Sequence, residues 1–134
     1  MKTILVIEDD EAIGDNTVEL LAILGFETAL ADDGQHGLTA ICNKQPDLVF
    51  CDVQMPGISG YDVLRTIRAD GRFKQLPFYF FSAKTEPADQ EKGFAMGATG
   101  YLTKPFTEAD LLNCICRHLP MPAQACRGAD TIAK

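Results

Sequence analysis

Three consecutive acids, Glu8-Asp9-Asp10, stand immediately after the apolar run Ile4–Ile7. A fourth acid, Asp52, follows the apolar run Leu48–Cys51. A hydroxyl, Ser82, follows Phe78–Phe81, and an ammonium, Lys104, comes just after Gly100–Leu102. If these runs are strands of one parallel sheet, the residues beyond them gather along one edge, where ligands of open α/β sheets bind. Carboxylates gathered in this way repel and raise one another's pKa unless a cation joins them. An all-oxygen set favours Mg²⁺, with Mn²⁺ as the alternative, over zinc, and Mg²⁺ takes only a few protein carboxylates. A divalent ion beside a hydroxyl and a lysine suits a phosphoryl group, because both cations offset charge on its oxygens. One carboxylate could itself be the nucleophile, since aspartate forms aspartyl phosphates. Asp52 is the candidate: it stands alone at the tip of a hydrophobic strand and is followed by the turn Met55-Pro56-Gly57.

Each of these residues also has a plainer reading. Asp9 or Asp10 alone would serve as a helix N-cap. Ser82 alone is an ordinary strand-end serine, and Lys104 alone a surface lysine. Their joint placement at consecutive strand ends carries the chemical reading. His36 and His118 show no partner pattern and read as surface or packing histidines.

Five strands and five helices are needed to hold such a site. The strand candidates are Thr3–Ile7, Glu27–Ala31, Leu48–Cys51, Phe78–Phe81 and Gly100–Leu102. Several are nearly continuous apolar runs, as strands buried on both faces require. The first helix is expected over about Glu11 to Leu24, with Ile13, Thr17, Leu20, Leu21 and Leu24 on one face and Gly25 at its C-terminal end. Val18 and Ala22, with Gly14 near them, are expected on the opposite face, where apolar side chains could dock a partner helix. A third helix follows Gly60 with Val63, Leu64 and Ile67 at helical spacing, and a fourth begins near Glu86-Pro87. The last opens with Thr107 and Asp110, a weaker relative of the capping box. The alternation implies a doubly wound five-stranded parallel α/β sheet with helices on both faces. Residues 1–119 are expected to form one domain. Residues 120–134, with two prolines and no periodicity, read as a flexible tail or a truncated linker.

Composition narrows the partners. The chain has 134 residues and a net charge of −7, so bulk binding to nucleic acid or anionic lipid is disfavoured. Residues 1–64 carry a net −10 and residues 65–134 a net +3. The opening MKTILVIEDD is too short for a signal peptide or a membrane span, and a cytoplasmic location is expected. Five cysteines without a regular framework argue against a disulfide scaffold. Cys114 and Cys116 diverge by about 200° on a helix, poor geometry for a shared metal. The cysteines read as small buried hydrophobes.

The segments ILVIEDDE (4–11), DLVFCDVQMPGISGYDVL (47–64), FFSA (80–83) and GATGYLTKPF (97–106) together resemble the receiver domain of two-component response regulators, the chemotaxis-type CheY-like family. The similarity covers about residues 2–119. It implies the flavodoxin-like strand order 2-1-3-4-5, with strands 1 and 3 side by side. It also implies roles. Asp52 matches the phosphoacceptor. Glu8 and Asp9 match the acidic pair that holds Mg²⁺ together with Asp52 and the backbone carbonyl of Gln54, Glu8 acting through water. Ser82 and Lys104 match the groups that engage the phosphoryl oxygens, and Asp10 becomes a helix-terminal acid. Ser82 and Tyr101 match the switch pair, and Lys104-Pro105 matches a peptide that is cis in this family.

The partners implied are a histidine kinase or histidine phosphotransfer protein, a downstream effector protein or domain, and a second copy in a phosphorylation-dependent dimer. Gln54 and Lys84 occupy the positions that tune hydrolysis of the acyl phosphate. The strand Phe78-Tyr79-Phe80-Phe81 is bulkier than usual, which could restrict the inward position of Tyr101. The family catalyses its own phosphorylation and slow dephosphorylation, and otherwise signals rather than acting as an enzyme. The same residues would also serve as the N-terminal receiver of a longer transcriptional or enzymatic regulator. An Asp-nucleophile phosphohydrolase is a weaker alternative, because Gln54 stands where such enzymes need a second Asp as acid and base. An FMN module wants a hydroxyl-rich loop where this chain has Glu8-Asp9-Asp10-Glu11, and no GxxxxGK[ST] segment is present.

Overall fold

The apolar runs form five parallel strands, and the segments between them form helices. The computed structural model describes residues 2–82, 87–104 and 106–119, without the side chains of Ser82 and of residues 87–89. In chain order these are β1 (Thr3–Ile7), α1 (Glu11–Ile23), β2 (Glu27–Ala31), α2 (Gly34–Lys44), β3 (Leu48–Asp52), α3 (Gly60–Arg68), a 3₁₀ turn (Gly71–Phe73), β4 (Phe78–Ser82), α4 (Pro87–Ala95), β5 (Gly100–Thr103) and α5 (Glu108–Ile115). The sheet order is β2-β1-β3-β4-β5, as the resemblance implies. Strands β3, β4 and β5 each run one residue beyond the expected end. Parallel pairing carries through Asp52 against Phe81 and Ser82 against Thr103. Among the described residues no helix is long and apolar enough to cross a membrane.

Period-two alternation along the strands divides the core into two layers. Ile4, Val6, Phe50, Tyr79, Phe81 and Leu102 face α1 and α5, meeting Leu21, Leu24, Leu111 and Ile115. Leu5, Ile7, Val49, Cys51, Phe78 and Phe80 face the other way, meeting Ile41 of α2 and Val63, Leu64 and Ile67 of α3. The four aromatics of β4 are all buried and feed both layers in turn.

Local signals fix the ends of the helices. Asp10 caps α1 by accepting from the Ile13 N–H at 3.1 Å, and Gly25 follows that helix at a φ of +98°, open to glycine without strain. Ser59 with Asp62 and Thr107 with Asp110 each make a complete reciprocal capping box. The second is therefore stronger than expected, because the Asp carboxylate reaches back to the cap N–H as a Glu would.

Two expectations are corrected. Gly14 is buried, and a Cβ there would meet Leu30 at 3.0 Å, while Val18 is half-buried against the α1/α5 core; only Ala22 of the three is exposed. The Leu30 side chain of β2 covers Gly14, and Val18 packs beside the core shared with α5. Of the cysteines, Cys51 and Cys114 are buried as expected, but Cys42 and Cys116 are exposed. Cys42 lies in α2, and Cys116 caps the C-terminal end of α5. Glu86, Lys84, the Lys104-Pro105 peptide, Cys126 and the segment 120–134 lie outside the described residues.

Gly60 shows how closely α3 approaches the end of β3. Its N–H donates to the Val53 carbonyl at 2.9 Å, and a Cβ on it would lie 2.2 Å from the Asp52 carbonyl oxygen and 3.0 Å from Phe80. At Gly71 a Cβ would meet nothing within 4 Å. Gly60→Ala is therefore expected to lower stability by about 1–3 kcal/mol through forced displacement of packed atoms. Gly71→Ala should change it by less than about 0.5 kcal/mol. Urea unfolding of the two variants checks this, and equal midpoints would contradict the close approach.

Candidate functional site

Strand register assembles the site. Ile7 of β1 is aligned with Cys51 of β3, so Glu8 and Asp52, the next residues on each, come side by side. Ser82 is aligned with Thr103 of β5, which brings Lys104 to the same edge. Glu8, Asp9 and Asp52 each present a carboxylate oxygen, and the three lie within 4.8 Å of one another. Glu8 and Asp52 are buried, whereas Asp9 is exposed at the mouth. The loop after Asp52 turns away through Gly57 at a φ of +81°, which glycine adopts without strain. Gln54 lies exposed at the start of that loop.

The Lys104 ammonium bridges two of the carboxylates. It donates to Glu8 Oε1 in a short contact and to Asp52 Oδ2 at 3.4 Å, and it lies 5.0 Å over the Phe81 ring. The second Glu8 oxygen accepts the Asp10 N–H at 3.3 Å. Burial, and then the neighbouring Asp52 carboxylate, push Glu8 up to about 7, against the pull of Lys104. Three carboxylates facing one ammonium leave an excess of negative charge at this edge of the sheet. That arrangement, with oxygen donors only, fits Mg²⁺ or Mn²⁺. Next to the pocket, the Cys51 thiol is fully buried and donates to the Asp52 carbonyl at 3.2 Å. Burial raises its pKa well above the usual thiol range, so it is no nucleophile.

Of the sequence-derived candidates, the fold brings Glu8, Asp9, Asp52 and Lys104 together. It places the Ser82 backbone at the same edge, while the Ser82 hydroxyl lies outside the described atoms. Tyr101 is half-buried on the α4 side of β5, its ring 5.4 Å from that of Phe80 and 6.1 Å from that of Phe94. The bulk of β4 therefore supports this position of the ring through Phe80.

Three further side-chain pairs lie outside the expected set. The Tyr101 hydroxyl lies 3.2 Å from the Tyr61 hydroxyl. His36, taken as unpartnered, lies with Nδ1 2.6 Å from Asp32 and 3.2 Å from Asp33. The hydrogen bond that His36 Nδ1–H donates to the Asp32 carboxylate raises the His36 pKa and lowers that of Asp32. The i,i+4 spacing of Asp32 and His36 at the start of α2 is the signal that would have found it. His118 likewise has a partner, the Tyr79 hydroxyl at 2.8 Å from Nε2.

Known proteins fall into line with this geometry. The family model for the response regulator receiver domain matches residues 4–116. The DNA-binding response regulator MtrA of Mycolicibacterium paratuberculosis is 38% identical over 109 residues, 81% of this chain and 47% of that protein. PilG of Pseudomonas aeruginosa is 34% identical over 117 residues, 87% of each chain. The chain thus spans about half the length of the MtrA-type relatives. Among solved structures, the chemotaxis protein CheY4 of Vibrio cholerae superposes with a TM-score of 0.84 at 30% identity, covering 89% of this chain and 99% of that one.

The folded protein keeps the Glu8 proton until about pH 7, whereas an ordinary glutamate releases it near 4.5. Between those values the native state holds more protons than the unfolded chain, so stability falls as pH rises. In EDTA, the unfolding free energy is expected to decline by at most about 3 kcal/mol from roughly pH 5 to pH 8. Glu8→Gln should remove most of that decline. A flat wild-type profile from chemical denaturation would rule the assignment out.

Proposed function

The chain belongs to the response regulator receiver family, and we propose that Asp52 accepts a phosphoryl group from a phosphohistidine on a partner kinase or phosphotransfer protein. The observation that carries this reading is the convergence of Glu8, Asp9, Asp52 and Lys104 on one pocket at the carboxyl edge of the sheet. In the transfer, a carboxylate oxygen of Asp52 attacks phosphorus opposite the imidazole nitrogen. The phosphorus–oxygen bond forms as the phosphorus–nitrogen bond breaks, and the electron pair returns to the imidazole, which takes up a proton. Glu8, Asp9 and Asp52 would hold Mg²⁺, with the Gln54 main-chain carbonyl as a further ligand. The bound ion supplies positive charge to the phosphoryl oxygens and relieves the repulsion among the carboxylates.

Lys104 follows the charge. Without a phosphoryl group it lies between Glu8 and Asp52, and it pairs with a phosphoryl oxygen once Asp52 is phosphorylated. The Ser82 hydroxyl bonds another of these oxygens. Ser82 and Tyr101 then shift together and bias a two-state equilibrium of the face made by α4, β5 and α5. That face passes the signal to an effector protein, to an effector domain or to a second copy of the chain. The half-length match to a DNA-binding regulator supports a second reading, in which this receiver controls a further domain of a longer transcriptional regulator.

Acetyl phosphate with Mg²⁺ is expected to add the mass of one phosphoryl group to the intact protein. Asp52→Asn should abolish the gain, and Lys104→Met should slow it by about 10²-fold, the scale of losing one charge-stabilising donor. Undiminished labelling of the Asn variant would refute the role given to Asp52.

A further inference from the structure

Tyr101 is carried by β5, and three further elements build its half-buried position. Phe80 of β4 supports one side of the ring at 5.4 Å, and Phe94 of α4 lies 6.1 Å away. Gly93 of α4 leaves room for it: a Cβ there would lie 2.7 Å from Tyr101 Cε2 and 3.2 Å from the Phe80 ring. The fourth element is α3. The Tyr61 ring meets Phe80 edge-on at 5.2 Å, and its hydroxyl lies 3.2 Å from the hydroxyl of Tyr101. Lys92 of α4 places its ammonium 4.4 Å over the centre of the Tyr61 ring, a cation–π contact that also orients this ring.

Tyr61 is well placed to report on the phosphoacceptor. It directly follows Gly60, which packs against the Asp52 carbonyl and hydrogen-bonds to Val53. The first turn of α3 is held by the Ser59–Asp62 capping box, with the Ser59 N–H donating to Asp62 at 3.0 Å. A displacement of the β3 end is therefore felt at Tyr61 through short, tightly packed main chain. From Tyr61 it reaches Tyr101 through the hydroxyl pair and through the Phe80 ring that both tyrosines touch.

We propose that Tyr61 is a positioning residue for Tyr101: its hydroxyl holds the Tyr101 ring in the half-buried position and ties that position to the α3 turn beside Asp52. This rests on the reading of Tyr101 as a switch residue and adds to it a determinant on α3. Losing one such hydrogen bond should change the ratio of ring positions by about two- to tenfold. Tyr61→Phe keeps the ring contacts with Phe80 and Lys92 and removes only the hydroxyl.

The test uses the protein labelled with 3-fluorotyrosine. The sequence contains three tyrosines, so three fluorine resonances are expected, each assigned by its Tyr→Phe variant. Tyr61→Phe should shift or broaden the Tyr101 resonance and leave acetyl phosphate labelling of Asp52 intact. Tyr79→Phe, whose hydroxyl bonds His118 on the opposite face of the sheet, should leave Tyr101 unmoved. Should Tyr61→Phe fold poorly, Tyr101→Phe gives the reciprocal measurement, a displaced Tyr61 resonance. An unmoved partner resonance in either variant overturns the proposal. Absence of labelling in the wild-type protein would count against Asp52 instead, and the spectra would still decide whether the two hydroxyls are coupled.

Discussion

The register between β1 and β3 is the constraint on which the rest of the molecule depends. Alignment of Ile7 with Cys51 puts Glu8 next to Asp52. Side chains alternate with a period of two, so a one-residue slip would turn every apolar side chain of β1 to the wrong layer and separate the two acids. Burial thus enforces the register and, with it, the site. Ile4, Val6 and Ile7 are wholly buried, Leu5 is nearly so, and β3 is buried throughout. The chemistry at the edge inherits its precision from hydrophobic packing in the middle of the sheet.

The site works against this packing. Glu8 is almost completely buried beside a second carboxylate, and its raised pKa records the cost. Lys104 offsets part of that cost from the far side of the pocket, on the loop after β5. Such a pocket is poorly suited to staying as it is and well suited to receiving a cation and then a phosphoryl group. Local strain of this kind is expected where function overrides the preferences of the rest of the chain.

Most of the fold was legible because its signals are local. Continuous apolar runs marked the strands, and Asp10, Gly25, Gly60 and Thr107 marked helix ends by backbone chemistry that needs no knowledge of the rest of the chain. The acids and Lys104 were legible for a related reason: topology alone sends strand ends to one edge. What stayed hidden depends on side-chain direction across elements. Nothing in the spacing of Tyr61 and Tyr101 shows that two hydroxyls forty residues apart meet. The burial of Gly14 depends on Leu30, on a different element, and that of Val18 on the core shared by α1 and α5, so neither shows in the spacing of α1 alone. His36 differs from these: its Asp32 partner is local, at i,i+4 spacing, within the acidic half of the chain.

Two of the ion pairs differ in their exposure to solvent. The Lys104–Glu8 contact has no exposed Glu8 side-chain surface, whereas the His36 and Asp32 side chains are 68% and 76% exposed. Dissolved ions screen exposed charges within about 8–10 Å at ordinary ionic strength and reach enclosed pairs far less. Added monovalent salt therefore divides the electrostatics of the chain in two. It loosens the contacts that decorate the start of α2 and leaves the charge balance of the acidic pocket to be altered only by an ion that enters it.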